Sequence, residues 1–289
     1  MAFFMSSKPI GIFDSGVGGL TVMAAIREAL PGESLIYLGD TARVPYGTKS
    51  AETILRYTEE SLTFLAKKNV KAIVIACNSA SAHALPYLQH KFNFPVLGVI
   101  ESGVRAALRA TRNKNIGVIG TLATIASDIY AKELKRLDET IVVKSEPCPL
   151  FVPLVEEGWF EHAVTCEVAE HYLKPFANDG IDTLILGCTH YPLLKNIIAR
   201  VLAPPPVHGQ NARSAGWTGG GVGEKIKLID SAKAVAEMLK EVLGKEKLLN
   251  QEAGPTSLKL YVTDFPARFE ILARQFLKER LPAVKRVVL

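Results

Sequence analysis

The sequence predicts an α/β protein made of two pseudo-symmetric α/β units with mainly parallel sheets, facing each other across a cleft. Three observations carry that prediction. Strand-length apolar runs alternate with amphipathic helical stretches, the first half of the chain is echoed in the second, and the echoed turns fall at equivalent strand ends.

The strand runs occupy residues 9–13, 35–38, 72–76, 96–100, 116–119, 141–143 and 183–186. They are apolar at nearly successive positions, the pattern of a strand covered on both faces of a parallel sheet. Helical patterns stand between them. In residues 51–68, Ile54, Tyr57 and Phe64 form one stripe with Leu55, Leu62 and Leu65 beside it. Residues 203–225 are rich in Pro, Gly and small polar side chains and read as a long loop, either a surface insertion or a lid. Residues 228–230 resume a strand, and residues 232–243 and 266–278 close the chain as helices expected to pack on the first unit.

Three collinear echoes relate the halves. KPIGIFDSG resembles KNIGVIGTL (Ile10 to Ile116), Val44-Pro45 matches Val152-Pro153, and IVIACNSAS matches LILGCTHYP (Cys77 to Cys188). The chain accordingly divides into residues 1–98 plus 209–289, carrying Cys77, and residues 99–208, carrying Cys188. Corresponding strand ends then converge on one cleft.

Composition narrows the function classes. With 289 residues, 48% hydrophobic and 22% charged, the chain can bury a core and is not a disordered polymer. Its longest apolar run, from Ala72 to Cys77, is far below the about 20 residues a membrane helix needs. MAFFMSSKPI lacks the basic leader and apolar length of a secretory signal, so a cytoplasmic location is expected. The 34 Lys and Arg exceed the 29 Asp and Glu without any block of like charge. That argues against a nucleic-acid footprint and suits an anionic small molecule.

The four cysteines, Cys77, Cys148, Cys166 and Cys188, form no C-x-x-C pair and are expected as free thiols. A lone cysteine at a strand end is ordinarily a small buried apolar residue. Cys77 and Cys188, however, occupy equivalent strand ends, each expected to precede a helix whose free N–H groups and positive end lower a thiol pKa toward neutrality. Cys148 and Cys166 lack that setting and read as structural. Cys188 and His190, with Cys77 or Asp14 as further ligands, match no common zinc spacing, so no metal is expected. The GVGG turn at residues 16–19 has Thr21 where a dinucleotide fingerprint needs its third glycine. A better use is close backbone approach to a substrate carboxylate, with Asp14 and Ser15 facing the cleft; the alternative is that Asp14 caps the next helix.

Taken in order, IGIFDSGVGGLTV, YLGDTARVPYG, ACNSASA, PLFVPLVEEG and GCTHYPLL resemble the glutamate racemase family, and IDSA at residues 229–232 extends the match. The resemblance implies two α/β domains and interconversion of L- and D-glutamate without pyridoxal phosphate or other cofactor. It also implies supply of D-glutamate for peptidoglycan, a bacterial source and a homodimer. On family precedent Cys77 takes the proton from D-glutamate and Cys188 from L-glutamate, assisted by Asp14 and His190, and the motif glutamate is Glu156. Asp14, Ser15, Tyr46, Gly47, Asn78, Ser79, Thr189 and His190 are the implied substrate ligands, with Asp40, Pro45 and Thr121 at further pocket positions. Ser79 stands where the family commonly has Thr, and residues 203–225 are longer than the family leads one to expect. About ten residues precede the first strand, so the long extension of activator-dependent relatives, and an activator requirement, are not expected.

The chemistry agrees with the pattern. Racemisation removes a Cα proton on one face and returns one on the other, so a base and an acid must flank the carbon while donors stabilise the carbanion at its carboxylate. One thiol ionised and one protonated gives a bell-shaped pH profile. An aspartate or hydantoin racemase would share the two thiols but hold another substrate. A non-enzymatic amino-acid-binding regulator would have no need of them.

Overall fold

The computed structural model describes residues 6–176, 179–203, 226–250, 255–277 and 281–289. Its strands, in chain order, are β1 (Ile10–Asp14), β2 (Leu35–Gly39), β3 (Ala72–Ile75), β4 (Val96–Gly98), β5 (Asn115–Gly120), β6 (Val142–Pro147), β7 (Thr183–Gly187), β8 (Lys227–Asp230), β9 (Leu258–Val262) and β10 (Val284–Arg286). Two sheets result, ordered β10-β9-β2-β1-β3-β4 and β6-β5-β7-β8, with every pairing parallel. Residues of β1, β2, β3 and β7 are buried throughout, which explains their unbroken apolar character.

The expected repeat is present in topology and in register. The order β2-β1-β3-β4 recurs as β6-β5-β7-β8. Ile10 pairs with Ala72 in the first sheet, and its echo Ile116 pairs with Thr183, the echo of Ala72, in the second. The central strands of both units therefore end at the same height, and Cys77 and Cys188 follow them at equivalent places.

The structure corrects several boundaries. Residues 96–100 are not one strand: β4 stops at Gly98, and Val99 and Ile100 begin the helix Val99–Ala110, whose buried face they share with Val104 and Ala107. An apolar run does not reveal where strand gives way to helix. The run at residues 141–143 extends to Pro147 as a partly exposed edge strand. Residues 228–230, expected with the first unit, pair with β7 in the second sheet. The following helix, Ser231–Lys245, packs on both Leu20–Ala29 and Val99–Ala110 and so bridges the units. β9 and β10 enlarge the first sheet beyond the repeat. Neither is a conspicuous apolar run, since β9 reads LKLYV and β10 is only VKR. Apart from Ala203, the long 203–225 segment lies outside the described residues.

Helix starts follow local rules. Ser50 caps Ala51–Ala66 by accepting from the Thr53 N–H at 3.3 Å, and Asp230 caps Ser231–Lys245 by accepting from the Ala232 N–H at 2.9 Å. At the base of β3, opposite the cysteine end, Lys71 is fully buried. Its Nζ meets Glu33 Oε2 at 2.5 Å and donates to the carbonyls of Leu248 (2.7 Å) and Ser6 (2.5 Å), fastening three distant segments. Removing one partner of a buried ion pair strands the other charge. Lys71→Met should therefore lower stability by about 3 kcal/mol, read from urea unfolding midpoints.

Candidate active site

The two strand ends open onto one cavity of about 320 Å³ between the units. The first unit contributes Ser15, Gly16, Val44, Pro45, Tyr46, Gly47, Thr48, Cys77, Asn78 and Ser79; the second contributes Thr121, Leu122, Pro149, Val152, Pro153, Glu156, Cys188, Thr189 and His190. The Val-Pro echo is thus functional geometry: Val44-Pro45 and Val152-Pro153 both line the cavity, although only Pro45 was expected there. Both strand-end cysteines line it, while Cys148 is wholly buried and Cys166 sits on the helix Ala163–Leu173. All four thiols are free, as expected.

Two glycines let the units touch. A Cβ on Gly18 would fall 2.2 Å from Thr189 Oγ1 and 2.5 Å from His190 Nδ1, and one on Gly47 would fall 2.6 Å from Thr121 Cβ. The GVGG turn is therefore a close-approach element against the Cys188 loop. Helix Asn78–Leu88 is tied to the second unit as well. Ser79 Oγ lies 2.8 Å from Thr121 Oγ1 and 3.2 Å from Thr124 Oγ1, and His83 Nε2 lies 2.9 Å from the Ala123 carbonyl. Thr124, invisible to motif reading, stands behind this hydroxyl cluster.

Asp14 and Asp40 are not among the lining residues, contrary to expectation. Asp14 is completely buried behind the wall and accepts from the Gly16 N–H at 2.8 Å. The next helix has Gly19 at its cap position, and the Gly19 N–H also points to the Asp14 carboxylate, so Asp14 serves the turn that leads into that helix. Burial pushes the Asp14 carboxyl up, and the positive charge of His190 pulls it part of the way back. Asp40 is a clamp. Its Oδ2 accepts from Tyr46 Oη (2.5 Å) and Arg43 Nε (2.6 Å), and its Oδ1 accepts from Thr263 Oγ1 (2.9 Å). Arg43 continues to Glu60 and covers the Tyr57 ring. This network holds the Val44–Tyr46 wall, which contains a cis Val44-Pro45 bond.

The two thiols have different surroundings. Cys77 occupies the N-cap position of the 11-residue helix Asn78–Leu88. Cys188 is followed by a helical stretch that opens as a 3₁₀ turn, Tyr191–Leu194, and continues directly as the α-helix Lys195–Val201, so the helix start on that side stands three residues past the thiol and is wound more tightly. The Cys77 thiol is not drawn toward neutrality. Burial and the nearby Asp14 charge push it up to about 12, outweighing the hydrogen bonds of Ser15 and Ala80. Near Cys188 the dominant neighbour is cationic. His190 Nδ1 lies 3.8 Å from Cys188 Sγ, and its Nε2 lies 3.1 Å from Glu156 Oε1. Burial alone would lower the imidazole, but Cys188 and Glu156, through hydrogen bonds and charge, raise it to about 10. Phe276 meets the ring edge-on, with centroids 5.7 Å apart. A protonated thiol on one wall thus faces a thiol with an imidazolium beside it on the other. Among the described residues no group of three or more His, Cys, Asp or Glu side chains is arranged to hold a metal, and no helix is long and apolar enough to cross a membrane.

Two outcomes follow. His190 should titrate near pH 10 by NMR in the wild type, and Glu156→Gln should move the midpoint down toward 6.5. Because folding raises this pKa, the stability it contributes is complete below pH 6.5 and is lost as pH rises through about 10. Asp40→Asn should cost about 2 kcal/mol by weakening charge-assisted hydrogen bonds, measured by urea unfolding.

The family model for Asp/Glu/Hydantoin racemase matches residues 10–239. A glutamate racemase from Geobacter metallireducens is 46% identical over 285 residues, covering 99% of this chain and 98% of its own. Among solved structures, glutamate racemase from Bacillus anthracis is 37% identical with a TM-score of 0.88. That from Francisella tularensis, in complex with D-glutamate, is 39% identical with a TM-score of 0.86, and both comparisons cover 98% of each chain. A cavity walled by paired thiols, in a chain this similar over its whole length, leaves one assignment: the protein belongs to the Asp/Glu/hydantoin racemase family, alongside its glutamate racemases.

Proposed function

We propose that the protein interconverts L- and D-glutamate without a cofactor, with Cys77 and Cys188 as the paired acid and base, and so supplies D-glutamate for peptidoglycan. The observation that carries the reading is the pair of thiols on opposite walls of one cavity, joined to relatives of about the same length that are glutamate racemases.

In the L-to-D direction, the Cys188 thiolate, beside the His190 cation, takes the Cα proton. The Cys77 thiol, held protonated by its surroundings, delivers its own proton to the opposite face. One proton leaves the carbon and one arrives. The product state, with a Cys188 thiol and a Cys77 thiolate, is the starting state for D-glutamate, and proton exchange with solvent resets it. Glu156 supports the His190 charge, and the buried Asp14 stands near enough to Cys77 to influence its proton. Ser15, Tyr46, Gly47, Asn78, Ser79, Thr121 and Thr189 offer the hydroxyl, amide and backbone donors that bind the substrate carboxylates and steady the carbanion. Asp40 acts through Tyr46 rather than by touching substrate. A cytoplasmic location and a homodimer accompany this reading.

The reduced protein in D2O, given L-glutamate without pyridoxal phosphate or metal, should lose optical rotation as deuterium enters Cα. Cys77→Ala and Cys188→Ala should each reduce racemisation by roughly 10³-fold. Full turnover by either variant defeats the two-thiol assignment, and turnover of aspartate in place of glutamate moves the protein to a sister activity.

A further inference from the structure

Asn78 is buried, lines the cavity and directly follows Cys77. Its amide has two unlike ends. The NH2 group is useful to a carboxylate, whereas the carbonyl oxygen repels one, and rotation by half a turn exchanges them. The orientation is decided from the other unit. Tyr130, on the helix Ile129–Leu137, donates its hydroxyl to Asn78 Oδ1 at 2.7 Å. Tyr130 is 2% exposed and does not line the cavity, so it cannot itself meet substrate. Burial keeps its phenol far above the ordinary range, and it therefore remains a donor.

The ring is seated as firmly as the hydroxyl. It packs with Val104, Leu134 and Ile185 in the core of the second unit. Gly187, the residue before Cys188, leaves it room: a Cβ there would lie 3.2 Å from Tyr130 Cε2. Tyr130 therefore lays its ring edge over the space that a side chain at Gly187, just before one cavity thiol, would take, and its hydroxyl bonds the residue following the other.

We propose that Tyr130 is a positioning residue for the racemase reaction, bridging the Cys77 and Cys188 loops and holding the Asn78 amide with its NH2 toward a substrate carboxylate. The inference rests on the racemase reading above. Tyr130→Phe keeps the ring and removes only the donor. It should raise KM for glutamate about tenfold with little change in kcat, the signature of binding lost equally from ground and transition states. In an Asn78→Ala background the same substitution should have no further effect on KM. Asn78→Asp, which keeps an acceptor for Tyr130 but removes the NH2, should raise KM at least as much and tests the amide independently of how Tyr130→Phe folds. An unchanged KM in Tyr130→Phe or Asn78→Asp, or an equal effect of Tyr130→Phe with and without Asn78, overturns the proposal. Failure of the wild type to racemise glutamate in the same assay would instead remove the reading beneath it.

Discussion

Ile10 opposite Ala72 in one sheet and Ile116 opposite Thr183 in the other set the geometry on which the cavity depends. Parallel strands paired in the same register end at the same height, and the residue after each central strand emerges at the same rim. Two copies of that arrangement, set face to face, bring Cys77 and Cys188 to opposite walls. A one-residue slip in either sheet would turn every side chain of that strand to the other face and take its thiol out of the cavity. The buried Lys71–Glu33 pair secures β3 at the opposite end of the same strand.

On this symmetric frame the electrostatics are unequal. The Cys77 wall is covered, lies near the buried carboxyl of Asp14, and favours a neutral thiol. The Cys188 wall has a carboxylate–imidazole–thiol line, Glu156 to His190 to Cys188, which favours a cation on the middle member. Asp14 and His190 are buried, so their charges act at close range and are weakly screened. The two walls thus place unequal charges beside the two thiols.

The contacts joining the units are of two kinds. Gly18 and Gly47 permit backbone approach where any side chain would collide with Thr189, His190 or Thr121. Hydrogen bonds at Ser79 and His83, and one that Asn78 accepts from Tyr130, then fasten the helix behind Cys77 to the second unit. The wall holding Pro45 and Tyr46 is braced instead from within the first sheet, through Asp40 and Thr263, the latter immediately after β9. The two strands outside the repeat thus have a local use, since β9 brings Thr263 beneath the cavity wall.

Much of this was legible in the chain. The seven apolar runs each coincide with a strand over all or most of their length, the echoes foretold the shared register, and the motif residues Cys77, Cys188, Ser15, Tyr46, Asn78, Ser79, Thr121, Thr189, His190 and Glu156 come together around one cavity. These are local properties: apolar periodicity, turn composition and spacing. Long-range packing alone decided that Asp14 and Asp40 lie behind the wall, that β8 joins the second sheet, and that Tyr130 reaches Asn78 across 52 positions of sequence. It also decided that the surroundings of the two thiols differ. What covers a side chain and which charges stand beside it come from segments far apart in the chain. By itself the sequence determined that two thiols occupy equivalent strand ends; the tertiary structure decided what each one faces, because desolvation and charge act through space and leave no mark in local spacing.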